Sequence, residues 1–148
     1  MLHALIRSLT IEEYGGELPW WKLFRTYARL KLRGYCERLF SGLRSPRARL
    51  FGFIIEFLEY STFVFLFEEI FLDGDYYFRA AGPRPLILDC GSHVGLSVLY
   101  FKTLYPGCRI IAFEPDESTF RVLKRNMEMN HLQDVEVHQQ ALSRQKER

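Results

Sequence analysis

Leu86-Ile87-Leu88-Asp89-Cys90-Gly91-Ser92-His93-Val94-Gly95 is the stretch whose reading decides the fold. A short continuous apolar run, Leu86 to Leu88, predicts a strand buried on both faces. It runs into Asp-x-Gly-x-x-x-Gly. The apolar residues from Val94 to Leu104 then predict a helix, closed by Pro106-Gly107. Arg109 to Phe113 reads as a second buried strand ending at Glu114-Pro115-Asp116. Asp116 is placed to cap a further helix. There Phe120, Leu123 and Met127 form the inner stripe, and Arg121, Lys124, Arg125 and Glu128 face water. Asn130 ends that helix, and Val135 to Gln140 makes a third strand. Strand, helix, strand, helix, strand is the βαβαβ unit of a parallel sheet, so the expected class is α/β, Rossmann-like, with an incomplete doubly wound sheet.

The glycine loop lies between a strand end and a helix start, where such sheets open a crevice and free amides meet a ligand. Gly91 permits backbone angles closed to other residues and lets a ligand approach the main chain. Gly95 lets the following helix pack close to the strand. Glu114 ends the neighbouring strand about twenty residues on, where an acid commonly grips ribose hydroxyls in this architecture. A dinucleotide site is expected to show Gly-x-Gly-x-x-Gly, so that pyrophosphate rests on a helix N-terminus. Here Ser92-His93-Val94 separates the two glycines and the middle glycine is missing. Asp89 opens the loop instead, and a carboxylate there repels pyrophosphate but can orient the ammonium of a methionine moiety. The pattern favours S-adenosylmethionine over a nicotinamide dinucleotide.

Leu88 to Ser97, Ile110 to Asp116, and Leu123-Lys124-Arg125-Asn126 with Asn130 together resemble the FkbM family of S-adenosylmethionine-dependent methyltransferases. Phe67 to Tyr76 is similar to the segment that precedes the first strand in that family. The likeness runs from near Arg49 to Ser143. It implies methyl transfer to a hydroxyl of a sugar, polyketide or similar small molecule. Asp89 would orient the methionine end of the cofactor, Gly91, Ser92, His93 and Gly95 would wrap it, and Glu114 would hold the ribose. Position 93 departs from the family, which usually has Asn there. The chain also stops after the third strand, whereas the family's later strands carry much of the acceptor pocket. The expectation is therefore the cofactor-binding first half of a larger sheet, completed by further chain or by a partner chain, and without turnover on its own. The proton-accepting residue is not identified.

Other residues carry competing readings. Pro115 either stacks near the adenine or shapes the turn before the helix. Ser97 either reaches the cofactor carboxylate or packs the helix. His93 is of a residue type suited to general-base work but lies on the cofactor side, which favours binding or loop shaping over proton transfer. Cys90 reads as a buried packing residue. Asn126 and Asn130 read physically as helix-end polar contacts. His131 and His138 are joined by no carboxylate or cysteine at ligand spacing, so no metal site is expected.

The chain has 148 residues, 48% of them hydrophobic, and a formal net charge of +2, so a core can form and no polyanionic partner is implied. Charge is unevenly spread. Lys22, Arg25, Arg29, Lys31, Arg33, Arg38, Arg44, Arg47 and Arg49 face one acid, Glu37; from Leu50 to Asp75 acids dominate. Residues 1–48 are expected to form a basic helical extension, with Trp20, Leu23, Phe24, Tyr27, Leu30 and Leu39 on its packed side and a break at Gly42 and Ser45-Pro46. Residues 49–148 would then form the cofactor domain. Between Arg49 and Tyr60 one or two strands are expected, followed by a short helix capped by Ser61 and a turn at Asp73-Gly74-Asp75. Leu50 to Leu72 is apolar but carries Glu56, Glu59, Glu68 and Glu69, each costing roughly 3 kcal/mol to insert into a bilayer, so it reads as core. Cys36, Cys90 and Cys108 match no disulfide or zinc spacing, which suits a reducing, cytoplasmic setting. The basic run is either a solvated face paired with the acidic stretch or a contact for anionic lipid, nucleic acid or acceptor, the solvated face being preferred. The competing functions are an NAD(P)-dependent reductase and a non-catalytic binding remnant of the same fold.

Overall fold

The computed structural model describes residues 18–39 and 45–142. The helical expectation for residues 1–17, the break at Gly42 and the domain end beyond 142 lie outside the described residues. The elements are α1 (Trp20–Leu39), β1 (Arg47–Leu50), β2 (Phe53–Glu56), α2 (Tyr60–Phe67), a π-helical segment (Glu68–Asp73), β3 (Leu86–Cys90), α3 (Leu96–Leu104), β4 (Arg109–Phe113), α4 (Glu117–Met129) and β5 (Val135–His138).

Strands β3, β4 and β5 lie side by side in chain order, all parallel, with Ile87 opposite Ile110 and Ala112 opposite Val137. A helix joins each strand to the next, which makes the unit a Rossmann-like βαβαβ sheet. Successive right-handed crossovers that add strands in one direction leave their helices on one face. Ile87, Ile110 and Ala112 on that face are buried with Val98, Leu99, Val122 and Leu123 of the helices. The opposite face is open. Leu86 and Leu88 are 61% and 60% exposed, so β3 is buried on one face only, contrary to the two-sided burial its apolar run predicts. Cys90 continues that open face and is exposed, not packed.

Strands β1 and β2 form a separate antiparallel hairpin, turned by Phe51 (φ 50°) and Gly52 (φ 96°). Positive φ at both central residues matches the right-handed twist of the strands. Phe51 is held in this conformation by its ring, which lies 5.3 Å from Phe71 and 6.3 Å from Phe67. The cap of α2 is Glu59 rather than Ser61: the Glu59 carboxylate accepts the Thr62 N–H, and Ser61 donates its hydroxyl to the same side chain. The longer Glu side chain reaches the first free amides where the residue after it cannot. The helix runs on through the π-helical turn and ends at Gly74, φ 71°. The apolar stretch from Leu50 to Leu72 is thus divided between hairpin and helix, and among the described residues no helix is long and apolar enough to cross a membrane.

Helix α1 buries Leu23 and Leu30 in the core and is tied to α2 by polar contacts. Tyr60 donates its hydroxyl to the Leu30 carbonyl (2.5 Å), and Tyr27 donates to Glu68 (2.9 Å), which also pairs with Lys31 (2.5 Å). Arg47 and Arg125 both pair with Glu56. The basic and acidic stretches therefore do meet in part. Trp20, Phe24 and Leu39 do not join the packed side expected of them; all three are exposed.

Candidate cofactor-binding site

The loop after β3 is built by its own backbone. The N–H groups of Gly91 and Ser92 both donate to the Phe113 carbonyl at 2.9 Å, so the loop is stitched to the end of β4. Gly95 N–H donates to the Ser92 carbonyl (2.8 Å), and Ser92 Oγ donates to the Asp89 carbonyl (3.0 Å). This closed turn forces three residues into the left-handed region: Gly91 (φ 91°), His93 (φ 48°) and Gly95 (φ 90°). Asn and His tolerate that region better than most residues, which gives a backbone reason for either at position 93.

The two glycines serve different ends. A Cβ at Gly91 would meet nothing within 4 Å, so the main chain there is open to an approaching molecule. A Cβ at Gly95 would lie 2.7 Å from both Leu123 Cδ1 and Met127 Cε. Gly95 thus admits α4 against the start of α3, rather than α3 against the strand as expected from sequence. Gly91→Ala is expected to cost about 1–2 kcal/mol from backbone strain alone. Gly95→Ala adds overpacking of about 1–3 kcal/mol to the same strain. Thermal melts of the two variants should therefore differ by several degrees, with Gly95→Ala lower; equal midpoints would refute the packing role.

Two carboxylates flank the loop, and both are buried. Asp89 Oδ2 accepts the Ser97 hydroxyl at 2.6 Å, so Ser97 is tied to Asp89 across the start of α3. Burial raises the Asp89 pKa above the usual carboxylate range; the Ser97 and Ser92 hydroxyls offset this in part, and the charge of Glu114 adds to it. No Lys, Arg or His among the described residues forms an ion pair with either acid. Glu114 braces the crevice: one oxygen accepts the His93 N–H (2.9 Å) and the other the Asp116 N–H (3.0 Å). Each oxygen keeps a second lone pair for a hydroxyl. Asp116 caps α4 as expected by accepting the Thr119 N–H (2.8 Å), and with the Ser118 hydroxyl this holds its carboxyl down to about 2. Pro115, between the two acids, is exposed. His93 is half-buried, and its Nδ1 is buried without a hydrogen-bond partner.

Two contributions were not legible as such. Asn126, fully buried on α4, accepts the Glu56 N–H and donates to the carbonyls of Glu56 and Val94, each at 2.8 Å. It joins β2 to the glycine loop. Asn130 repeats the pairing one turn on, with both backbone groups of Ile54. The available signal was position: Asn126 lies on the stripe of Val122, Leu123 and Met127, where an amide must find partners. Tyr76, after the π-helical turn, has its pKa raised by burial and by the charges of Glu69, Asp89 and Asp75. Among the described residues no group of three His, Cys, Asp or Glu side chains is placed to hold a metal.

The fold and site define a parallel α/β unit with an acid-lined, glycine-opened crevice at its strand ends. Relatives of this chain are methyltransferases. It is 38% identical over 81 residues to "Methyltransferase 1" of Beauveria bassiana (strain ARSEF 2860), a match covering 55% of this chain and 32% of that protein. It is 41% identical over 66 residues to "Methyltransferase sdnD" of Sordaria araneosa, covering 45% of this chain and 26% of that one. The matched segment thus spans about a third or less of these curated relatives. A crystal structure of coclaurine N-methyltransferase bound to N-methylheliamine and SAH aligns over 93% of this chain and 41% of its own, at 20% identity and a TM-score of 0.37, too slight a likeness to carry argument. No family model matches the chain.

Proposed function

We propose that the cofactor-binding half of an S-adenosylmethionine-dependent methyltransferase of the FkbM type begins at β1, near residue 49, with α1 belonging to a preceding extension. The observation that carries this is Asp89, a buried carboxylate whose side-chain partners are hydroxyls and whose neighbour is a second buried acid, with no cation among the described residues paired to either. A desolvated negative site of this kind favours a cationic ligand and disfavours pyrophosphate. Bound there, S-adenosylmethionine would supply an already activated methyl group on its sulfonium.

The chain's own residues do the positioning. Asp89, fixed by Ser97, meets the amino group of the methionine moiety. The open backbone at Gly91 lets that moiety lie against the loop beside Ser92 and Gly95. Glu114 offers its remaining lone pairs to the ribose hydroxyls while holding the loop, and Pro115 lies alongside. The orphaned Nδ1 of His93 gains a partner from the ligand. The acceptor we propose is a hydroxyl of a small molecule. Strand β3 has a free outer edge and an open apolar face, which suit a larger sheet continued by further chain or by a partner chain in a cytoplasmic setting. Asp89, buried where a dinucleotide would seat its pyrophosphate, weighs against a dinucleotide reductase.

Calorimetric titration with S-adenosylhomocysteine, with NADH alongside, tests the reading. Saturable binding at about 1–100 μM for the former and none for the latter is expected. A folded chain that binds neither would leave the fold without this chemistry.

A further inference from the structure

The outer face of α1 is a second surface with a composition of its own. Trp21, Phe24, Ala28, Leu32, Tyr35 and Leu39 recur so that, at 3.6 residues per turn, they fall within an arc of about 80°. All six are exposed, and the five large ones range from 44% to 74%. The helix buries its opposite side through Leu23 and Leu30, so it carries two apolar stripes, one packed and one bare. The bare stripe is flanked on one side by the cations Lys22, Arg25 and Arg29; Lys31 on the other side is paired with Glu68. Lys22 and Arg25 lie 5.6 and 5.7 Å from the Trp21 ring. The sole acid of the helix, Glu37, is turned inward to Arg33 at 2.7 Å. Twenty residues make this a strip about 30 Å long.

We propose that this face binds a membrane surface bearing anionic headgroups, with the helix lying flat in the interface. Hydrocarbon in the stripe and a row of cations along one edge, with Trp at one end, match the acyl boundary below and the headgroups beside it. Other occupants fit less well. A second copy packed on the same face would bring two cationic strips together with no outward acid on either to offset them, since Glu37 is turned inward. Nucleic acid would lay phosphates across Leu32 and Leu39, which can neither pair with them nor stack on bases. Nothing in this depends on the cofactor site.

The test uses Trp20 and Trp21, the only two tryptophans of the chain, as reporters. Vesicles of phosphatidylcholine alone are compared with vesicles in which about a third is phosphatidylserine. The anionic vesicles are expected to shift the emission to shorter wavelength and bind about tenfold or more tightly than neutral ones. That binding should weaken steeply as salt shortens the screening length from about 10 Å toward 3 Å. Phe24→Ser with Leu32→Ser should abolish insertion, and Arg25→Gln with Arg29→Gln should remove the preference for anionic lipid. Both pairs face water, so circular dichroism should stay unchanged. A folded protein whose emission responds to neither vesicle overturns the proposal. So does emission already blue-shifted without lipid, either at all concentrations, which means the chain covers its own stripe, or only as concentration rises, which means a second copy does.

Discussion

Asn126→Asp is expected to destabilise the protein by about 3–5 kcal/mol, a large share of the roughly 5–15 kcal/mol that holds an ordinary domain folded. The amide serves three backbone groups at once, with no solvent access. Aspartate keeps the acceptor for the Glu56 N–H but loses the donors to the carbonyls of Glu56 and Val94, and would turn a buried oxygen on both. Protonation supplies one donor for two acceptors, so neither ionisation state satisfies the site. Asn126→Ala leaves all three groups unpaired and should cost about 3 kcal/mol, a fall in melting temperature of about 6–12 °C. Because Val94 belongs to the glycine loop, ligand binding should fail in any fraction that stays folded. A melting temperature within a degree or two of the parent would show that β2 and the loop are held by other contacts.

The largest effect on the site is expected from its two acids, and in opposite directions on stability. Asp89→Asn should raise stability by about 1 kcal/mol while weakening cofactor-product binding about 100-fold. Asparagine can still accept the Ser97 hydroxyl, yet it carries no charge to desolvate. The folded-state pKa of Asp89 lies above its ordinary 3.8, so the group favours folding only below that value and loses this as pH rises through the folded pKa. The variant's advantage should therefore be full at neutral pH and vanish as the pH is lowered into the carboxylate range. Glu114→Gln should instead cost about 1–3 kcal/mol, because both Glu114 oxygens accept backbone N–H groups and an amide NH2 would face one of them. Paired melting curves across pH, with calorimetry of the same variants, check both. Matching signs for the two substitutions would mean that the acids do not have the separate roles of ligand partner and loop brace.

Much of this was readable from residues alone. The strand from Arg109 to Phe113, the Asp116 cap and the Asn130 end of α4 stand where periodicity and capping chemistry put them, because those signals are local. The glycine loop was readable for the same reason: only certain residues turn a strand into a helix so sharply. Where reading failed, a neighbour distant in sequence made the decision. An apolar triplet such as Leu86-Ile87-Leu88 reports that it is apolar, not whether helices cover one face or two. Likewise the Trp, Phe and Leu residues of α1 have a helical period, but the side that packs is chosen by where Tyr60 and Glu68 lie. Asn126 looks like any polar helix residue until β2 is brought against it.

The sequence by itself determined the order of strands and helices, the turn that opens the crevice, and the acids at the strand ends. Those follow from backbone sterics, side-chain spacing and short-range hydrogen bonding. Tertiary structure alone decided that Asp89 is buried against Ser97, that Glu114 holds the loop with both oxygens, and that α1 keeps an apolar face exposed. Burial and pairing depend on which segments meet, and desolvation, which sets the cost of a charge or the exposure of a leucine, is a property of that assembled environment.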